Sequence, residues 1–190
     1  LLISSGAWVL GQGTLAPPGA PTPTMKSLSE VEARTIVSAA NTPGNGTNTF
    51  IISQPGSYYL TGKITGASGK HGISIQANDV TLDLNGFSLI SGGGGAFRGV
   101  NVPNAQSGIS IQNGSVRGWA DGGVRADAAV TRAKDLNLTD NVGGVGLGVG
   151  NGSLIKDCVS TGNTTGFYCA DRTQISNCIA TVNAGVGFDC

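Results

Sequence analysis

The sequence has little charge, few aromatic residues and no long apolar runs. Charged residues make up 12% of its 190 residues, where globular proteins average about 25%. Lys+Arg and Asp+Glu are 11 each, so no basic excess is available for binding a nucleic acid. Low charge together with 39% apolar residues also argues against a disordered chain. Glycine, by contrast, is abundant at 32 residues. Because the glycines follow no three-residue period, they exclude collagen and favour a β protein with many turns.

The chain begins with an apolar segment, LLISSGAWVL, followed by small residues at Gly11 and Gly13. Its length is typical of the apolar core of a secretory signal peptide. Spanning a bilayer takes about 20 apolar residues, so we predict no transmembrane segment. We interpret residues 1–13 as a partial signal peptide without its basic start, and we expect a secreted or cell-surface protein.

The next segments indicate a linker and a cap. Residues 14–25 are rich in proline and predict an extended linker. Ser27 and Glu30 then form a capping box, which favours one short amphipathic helix. We predict that residues 26–49 form this cap helix and a loop, and that they cover the open end of the domain at residues 50–190. The chain stops at Cys190 within a repeat, so we expect this domain to be truncated at its C-terminus.

The chain repeats itself from residue 72 onward. A glycine followed by an apolar residue recurs at steps of 27, 24, 23, 20 and 21 residues. The copies are Gly72-Ile73, Gly99-Val100, Gly123-Val124, Gly146-Leu147, Gly166-Phe167 and Gly187-Phe188. A second landmark pairs Asp or Asn with an Asn six residues later, at Asp135 and Asn141, Asp157 and Asn163, and Asn177 and Asn183. A period of this length is typical of a solenoid.

The elements within each repeat are short and alternate between apolar and polar residues, as in Val80–Leu84. Alternation of this kind predicts strands with one buried face. We therefore predict an all-β protein, a parallel β-helix in which like residues stack from coil to coil. Asn85-Gly86 and Asn113-Gly114 are the expected corners, where Asn and Gly tolerate left-handed backbone. Low charge fits this fold, because a stacked column of like charges repels itself.

Three segments carry a resemblance to a known family. They are Ile52–Gly62 (ISQPGSYYLTG), Asn78–Phe87 (NDVTLDLNGF) and Asn113–Trp119 (NGSVRGW). Over residues 21–190 the chain resembles bacterial secreted right-handed parallel β-helix repeat proteins of the pectin-lyase-like superfamily. That resemblance implies the fold. It does not choose an activity, because the superfamily includes lyases, hydrolases, epimerases, adhesins and proteins without known chemistry.

The catalytic signatures of the resembled enzymes are missing from the sequence. The hydrolases carry adjacent Asp residues, a Gly-His-Gly and an Arg-Ile-Lys. Here His71-Gly72 follows Lys70 rather than glycine, and Arg132-Ala133-Lys134 replaces Arg-Ile-Lys. We interpret His71 as a solvated turn residue, and we name no catalytic residue from a motif.

A cluster of charges between residues 98 and 127 is the best candidate site. Lyases of the resembled fold hold Ca²⁺ with carboxylates and remove a proton beside a uronate carboxyl with Arg or Lys. Within this cluster Arg117 and Arg125 are the candidate catalytic residues, Trp119 and Arg98 are candidates for substrate binding, and Asp121 and Asp127 are candidates for Ca²⁺ binding. The alternative is ordinary surface pairing of Arg with Asp, with Trp119 covering a loop.

The four cysteines form two columns in the last repeats. Cys158 aligns with Cys178, and Cys169 aligns with Cys190. Both pairs are candidate disulfides in an exported chain. Because stacked side chains do not point at each other, we slightly favour free, inward thiols. No C-x-x-C motif indicates a metal site.

Two functional hypotheses follow. The first is a secreted or surface-associated β-helix with a structural or polysaccharide-binding role and no cofactor. The alternative is a carbohydrate-active enzyme, a Ca²⁺-dependent polyuronate lyase. The expected partner is an extracellular polysaccharide rather than a nucleic acid, and the oligomeric state is left open.

Overall fold

The chain winds as a parallel β-solenoid. A computed structural model describes residues 32–95, 97–103, 106–127 and 129–190, and Arg34–Cys190 form one unit. The described residues contain 18 strands and no helix. Neighbouring strands pair in parallel from one coil to the next, so each coil rises by one strand spacing of about 4.8 Å. The predicted all-β parallel β-helix is confirmed.

The strands, in chain order, are β1 (Thr35–Ile36), β2 (Asn48–Ile52), β3 (Gly56–Tyr59), β4 (Ile64–Thr65), β5 (His71–Ile75), β6 (Val80–Asp83), β7 (Ser88–Ile90), β8 (Arg98–Asn101), β9 (Ile109–Arg117), β10 (Gly122–Ala126), β11 (Thr131–Thr139), β12 (Val145–Val149), β13 (Leu154–Lys156), β14 (Val159–Thr161), β15 (Thr165–Cys169), β16 (Gln174–Ser176), β17 (Ile179–Thr181) and β18 (Phe188–Asp189).

The strands form three faces. The first face is a sheet of β2, β5, β8, β10, β12, β15 and β18. The second face contains β1, β3, β6, β13, β16 and the first halves of β9 and β11. The third contains β4, β7, β14, β17 and the second halves of β9 and β11. The last two faces are joined because β9 and β11 run continuously through the corner between them.

The core is a stack of apolar columns. On the first face Ile73, Val100, Val124 and Leu147 are register partners in successive strands, and all are buried. These partners confirm the period predicted from the glycine-apolar repeat. Thr49 stands opposite Gly72, one coil earlier than the predicted start of the repeat.

The corners between the second and third faces use left-handed backbone. Asn85, Asn113, Asp135, Asp157 and Asn177 have φ values of 52° to 60°. Asn and Asp adopt this conformation more readily than other residues that carry a Cβ, so the corner column predicted from the repeat is confirmed. Residues 84–87 form a longer corner than residues 113–114, so the first coils match the later ones only with an insertion, as expected.

The glycines of the repeat allow close contact between neighbouring coils. None of the six has a φ in the left-handed region, so they are not corner residues. A Cβ on Gly123 would lie 2.6 Å from the Gly146 carbonyl oxygen and 2.8 Å from Nδ2 of Asn141. Gly146 has the same relation to Gly166 and Asn163, at 2.7 and 2.8 Å. The repeat therefore requires glycine because coils and side chains approach too closely for a methyl group.

A buried asparagine ladder lies against these glycines. The Asn141 backbone N–H donates to Oδ1 of Asn163 at 2.9 Å, and the Asn163 N–H donates to Oδ1 of Asn183 at 3.0 Å. Nδ2 of Asn163 donates in turn to the carbonyl of Leu138 at 2.9 Å. The ladder satisfies backbone groups that the turn would otherwise leave without partners inside the core. The asparagine spacing found in the sequence thus corresponds to a hydrogen-bonded stack in the structure.

The two cysteine columns differ from each other. Cys169 is disulfide-bonded to Cys190, with Cα atoms 4.6 Å apart. This corrects our preference for free thiols there, because the spacing of stacked strands falls within the roughly 4.4–6.8 Å range of disulfides. Cys158 and Cys178 are free. Burial raises the pKa of the Cys158 thiol to about 12, so this thiol stays protonated at neutral pH.

The predicted signal peptide at residues 1–13, the predicted linker at residues 14–25 and the predicted cap helix up to residue 31 lie outside the described residues. Residues 32–49 are described, and they form β1, a loop and the start of β2. Among the described residues no helix is long and apolar enough to span a membrane.

Candidate functional site

The residues of the predicted cluster divide between two faces. Arg98 and Arg125 lie in β8 and β10, and Asp121 and Asp127 flank β10, all on the first face. Arg117 instead ends β9 on the third face, in register with Thr139. The Arg117 side chain makes no hydrogen bond or ion pair with the described part of the chain. The structure therefore brings four predicted residues together and separates Arg117 from them.

Trp119 lies in the core. It is 1% exposed, and its ring lies against Gly66, Gly72 and Gly99. The Trp119 backbone N–H donates to Oδ1 of Asn141 at 3.1 Å, so the tryptophan continues the asparagine ladder. A ring buried in this way offers no face to a sugar, and we leave Trp119 out of the candidate site.

Arg98 is held in place by two neighbouring side chains. Its Nε donates to Oδ2 of Asp121 at 2.6 Å, and its NH1 donates to Oδ1 of Asn101 at 2.9 Å. The pairing of β8 with β10 sets this geometry, because Arg98 is the register partner of Gly122. The guanidinium is thus fixed at the surface before any ligand arrives.

His71 supports Arg98 from the preceding coil. Its Nδ1 accepts a hydrogen bond from the Arg98 backbone N–H at 3.0 Å, and its ring meets the Phe97 ring edge-on at 5.2 Å. Burial and, secondarily, the charge of Arg98 lower the pKa of His71, while Asp121 acts in the opposite direction. Our prediction treated His71 as a solvated turn residue, whereas here the neutral ring accepts a hydrogen bond.

Arg125 and Asp127 form the second pair on the first face. Arg125 Nε donates to Asp127 Oδ2 at 2.8 Å, and NH2 donates to the same oxygen. The other oxygen, Oδ1, lies over Gly148, where a Cβ would collide with it. This oxygen is buried and has no hydrogen-bond partner among the described residues. The space that a side chain at Gly148 would take is thus filled by the Asp127 carboxylate, and Gly148 is buried beneath it.

Tyr168 lies on the other side of Gly148 from this ion pair. Arg125, Gly148 and Tyr168 are register partners in β10, β12 and β15, so Tyr168 stands two spacings, about 10 Å, from Arg125. Tyr168 is 38% exposed. Our sequence analysis missed this residue. Strand alternation carries the signal, because Phe167 is buried and the next side chain must point outward.

The site does not assemble the groups that a Ca²⁺-dependent elimination needs. Arg125 contacts one carboxylate, and Arg117 contacts none among the described residues. Nowhere in the described ranges do three or more His, Cys, Asp or Glu residues gather in a way that could hold a metal ion. The site instead offers arginine hydrogen-bond donors and aspartate acceptors held in place by ion pairs, together with the exposed ring of Tyr168.

Comparisons of the chain with protein-family models, curated proteins and solved structures found no significant match. Strand pairing therefore establishes the parallel β-solenoid. Membership of the pectin-lyase-like superfamily stays a prediction.

Proposed function

We propose that the protein is a secreted or cell-surface β-solenoid that binds a polysaccharide without catalysis. The binding site would be the polar row, which consists of Arg98, Asn101, Asp121, Arg125, Asp127 and Tyr168. The observation that carries this proposal is a fixed Arg125–Asp127 ion pair that shares the first face with exposed Tyr168, two strands away.

The chemistry of the polar row suits sugar hydroxyl groups. Guanidinium groups donate hydrogen bonds and carboxylates accept them, so each Arg–Asp pair can satisfy a hydroxyl that acts as both donor and acceptor. The Tyr168 ring supplies an apolar surface with a polar tip. Two arginines balance two aspartates in the row, which favours a neutral polysaccharide over a polyanion.

The geometry of the row suits a linear polymer. Register partners in successive strands are Asn101, Arg125, Gly148 and Tyr168. A ligand that runs along the solenoid axis therefore meets one strand after another at a spacing of about 4.8 Å. The ion pairs hold Arg98 and Arg125 before binding, which lowers the entropy lost on association. One sugar ring would contact the Arg125–Asp127 pair on one side and the Tyr168 ring on the other.

Affinity electrophoresis against neutral polysaccharides, including xylan, mannan and mixed-linkage glucan, tests the proposal. We expect retardation in at least one gel. Tyr168→Ala and Arg125→Ala should each weaken it several-fold, because each removes one of the proposed contacts with the sugar. Arg117→Ala is the matched control, since it removes an exposed arginine from the third face. If the polar-row variants keep their β-sheet circular dichroism and bind like the wild type, the proposal fails.

The lyase alternative has a separate readout. The full chain is incubated with polyuronates and Ca²⁺, and the absorbance of unsaturated products is followed. Our proposal predicts no increase. If the absorbance rises with the wild type and not with Arg125→Ala or Arg117→Ala, the protein is a lyase, and the proposal of binding without catalysis is wrong.

A further inference from the structure

A groove on the second face lies away from the polar row. It has a volume of about 480 Å³, which is within the usual range of small-molecule sites. We call it the second-face groove, and it is lined by Thr81, Gly108, Ile109, Ser110, Val130 and Arg132.

Three polar side chains stand in line along this groove. Thr81, Ser110 and Arg132 are register partners in β6, β9 and β11. Two hydroxyls and a guanidinium therefore follow one another at the strand spacing of about 4.8 Å. Because strand pairing fixes the backbone beneath them, their order along the groove is fixed as well.

Arg132 carries a charge that its surroundings do not neutralise. Its side chain is exposed and forms no hydrogen bond or ion pair with any described residue. The nearby cations differ in this respect, since Lys134 pairs with Asp135 at 3.1 Å and Lys156 pairs with Asp157 at 3.9 Å. A guanidinium of this kind is free to take a ligand carboxylate in bidentate fashion.

The rest of the groove sets its polarity. Val130 is 49% exposed and gives the groove an apolar wall. The Asp79 carboxylate lies against Gly108, and Gly108 precedes Val130 by one coil. This carboxylate would repel a second negative charge on a ligand in the groove. The groove thus offers a place for one negative charge, at Arg132, beside an apolar surface.

We propose that the second-face groove binds a small organic monocarboxylate. The carboxylate would accept hydrogen bonds from the Arg132 guanidinium and the Ser110 hydroxyl, and the apolar body of the ligand would lie against Val130. A carboxylate matches the planar fork of arginine, and Asp79 disfavours a dianion. The proposal concerns another face than the polar row, so it stands or falls separately from polysaccharide binding.

Titration of the ¹⁵N-labelled full chain with benzoate tests the proposal. We expect saturable amide shifts at Gly108, Ser110 and Arg132. Arg132→Gln should weaken benzoate binding about tenfold or more, because it removes a charge-assisted hydrogen bond. Arg117→Gln, which changes an exposed arginine on the third face, should bind benzoate like the wild type. Retained spectral dispersion shows that the variants are folded.

Two further probes decide the ligand class. Benzamide has the same ring without the charge and should bind much more weakly than benzoate. Inorganic phosphate should also bind more weakly than benzoate. Asp79→Asn should reduce the difference in affinity between phosphate and benzoate, because it removes the repelling carboxylate. Equal binding of benzamide and benzoate, or tighter binding of phosphate, would overturn the proposal, as would shifts that lie only outside the groove.

Discussion

At the scale of single residues, missing methyl groups control how closely the coils stack. Gly123 faces the Gly146 carbonyl and the Asn141 amide at distances that leave no room for a Cβ. We predict that Gly123→Ala lowers the free energy of unfolding by about 1–3 kcal/mol, the usual cost of overpacking. Urea unfolding followed by circular dichroism measures the change.

Gly62 is the matched control for this substitution. A Cβ there meets nothing within 4 Å, and the φ of Gly62 is not left-handed. Gly62→Ala should leave stability unchanged or raise it slightly, since alanine restricts the unfolded chain. Equal effects at Gly123 and Gly62 would show that close stacking does not explain the repeated glycine.

His71 makes stability depend on pH. Burial lowers its pKa in the folded state below the ordinary value of 6.5, so the unfolded chain binds the proton more readily. The contribution of His71 to stability is therefore complete above pH 6.5 and decreases as the pH falls towards the lowered pKa.

His71→Gln separates this effect from the titration of carboxylates. Glutamine keeps a hydrogen-bond acceptor for the Arg98 N–H but does not titrate. We expect the wild type to lose more stability than the variant between about pH 7.5 and about pH 5. Parallel curves for the two proteins, measured by urea unfolding, would contradict the role of His71.

At the scale of elements, the corners decide where one strand ends and the next begins. Asp157 has a φ of 52° and accepts a hydrogen bond from Asn177 Nδ2 at 3.1 Å. We predict that Asp157→Val costs about 1–2 kcal/mol, because a β-branched residue resists left-handed backbone. Thermal unfolding measures the loss. Asp157→Asn keeps the preference for left-handed backbone and should keep nearly wild-type stability. If Asp157→Asn lost as much stability as Asp157→Val, the charge of Asp157, and not its backbone preference, would explain the loss.

The elements also show what sequence patterns can and cannot predict. Regular spacing predicted the coils and the Asn and Asp corners, because both depend on local preferences that recur in each repeat. The first coil was missed because Thr49 replaces glycine there, and its hydroxyl bonds the His71 carbonyl and the Ala67 N–H instead. The role of Gly123 could not be predicted from its neighbours in sequence, since the contact that excludes a Cβ comes from the next coil.

The candidate site was predictable only in part, for the same reason. Spacing placed Arg98, Asp121, Arg125 and Asp127 near one another, and they share a face. Arg117 lies beyond the corner at Asn113 and therefore on another face. Trp119 is buried because its ring fills the space above Gly66 and Gly72. These glycines lie in earlier coils, so no local sequence pattern reveals that space.

At the scale of the whole molecule, each coil contacts only its neighbours, so stability is local along the axis. The last described coil has one neighbour and leaves Phe188 44% exposed. Stacking of Phe188 on Phe167, with ring centroids 5.0 Å apart, and the Cys169–Cys190 disulfide hold it to the coil below. The disulfide spans 21 residues, a loop whose closure is worth roughly 3 kcal/mol.

Removing this disulfide should therefore loosen the last described coil. We predict that Cys190→Ser increases hydrogen exchange over residues 170–190 and leaves residues 71–126 protected as in the wild type, because the opening is sub-global. Cys178→Ser is the control, since it removes a free thiol from the same coil. Mass spectrometry of peptides from both variants measures the exchange. A uniform loss of protection along the chain would mean that the coils unfold as one cooperative unit, and the coil-by-coil account of stability would then be wrong.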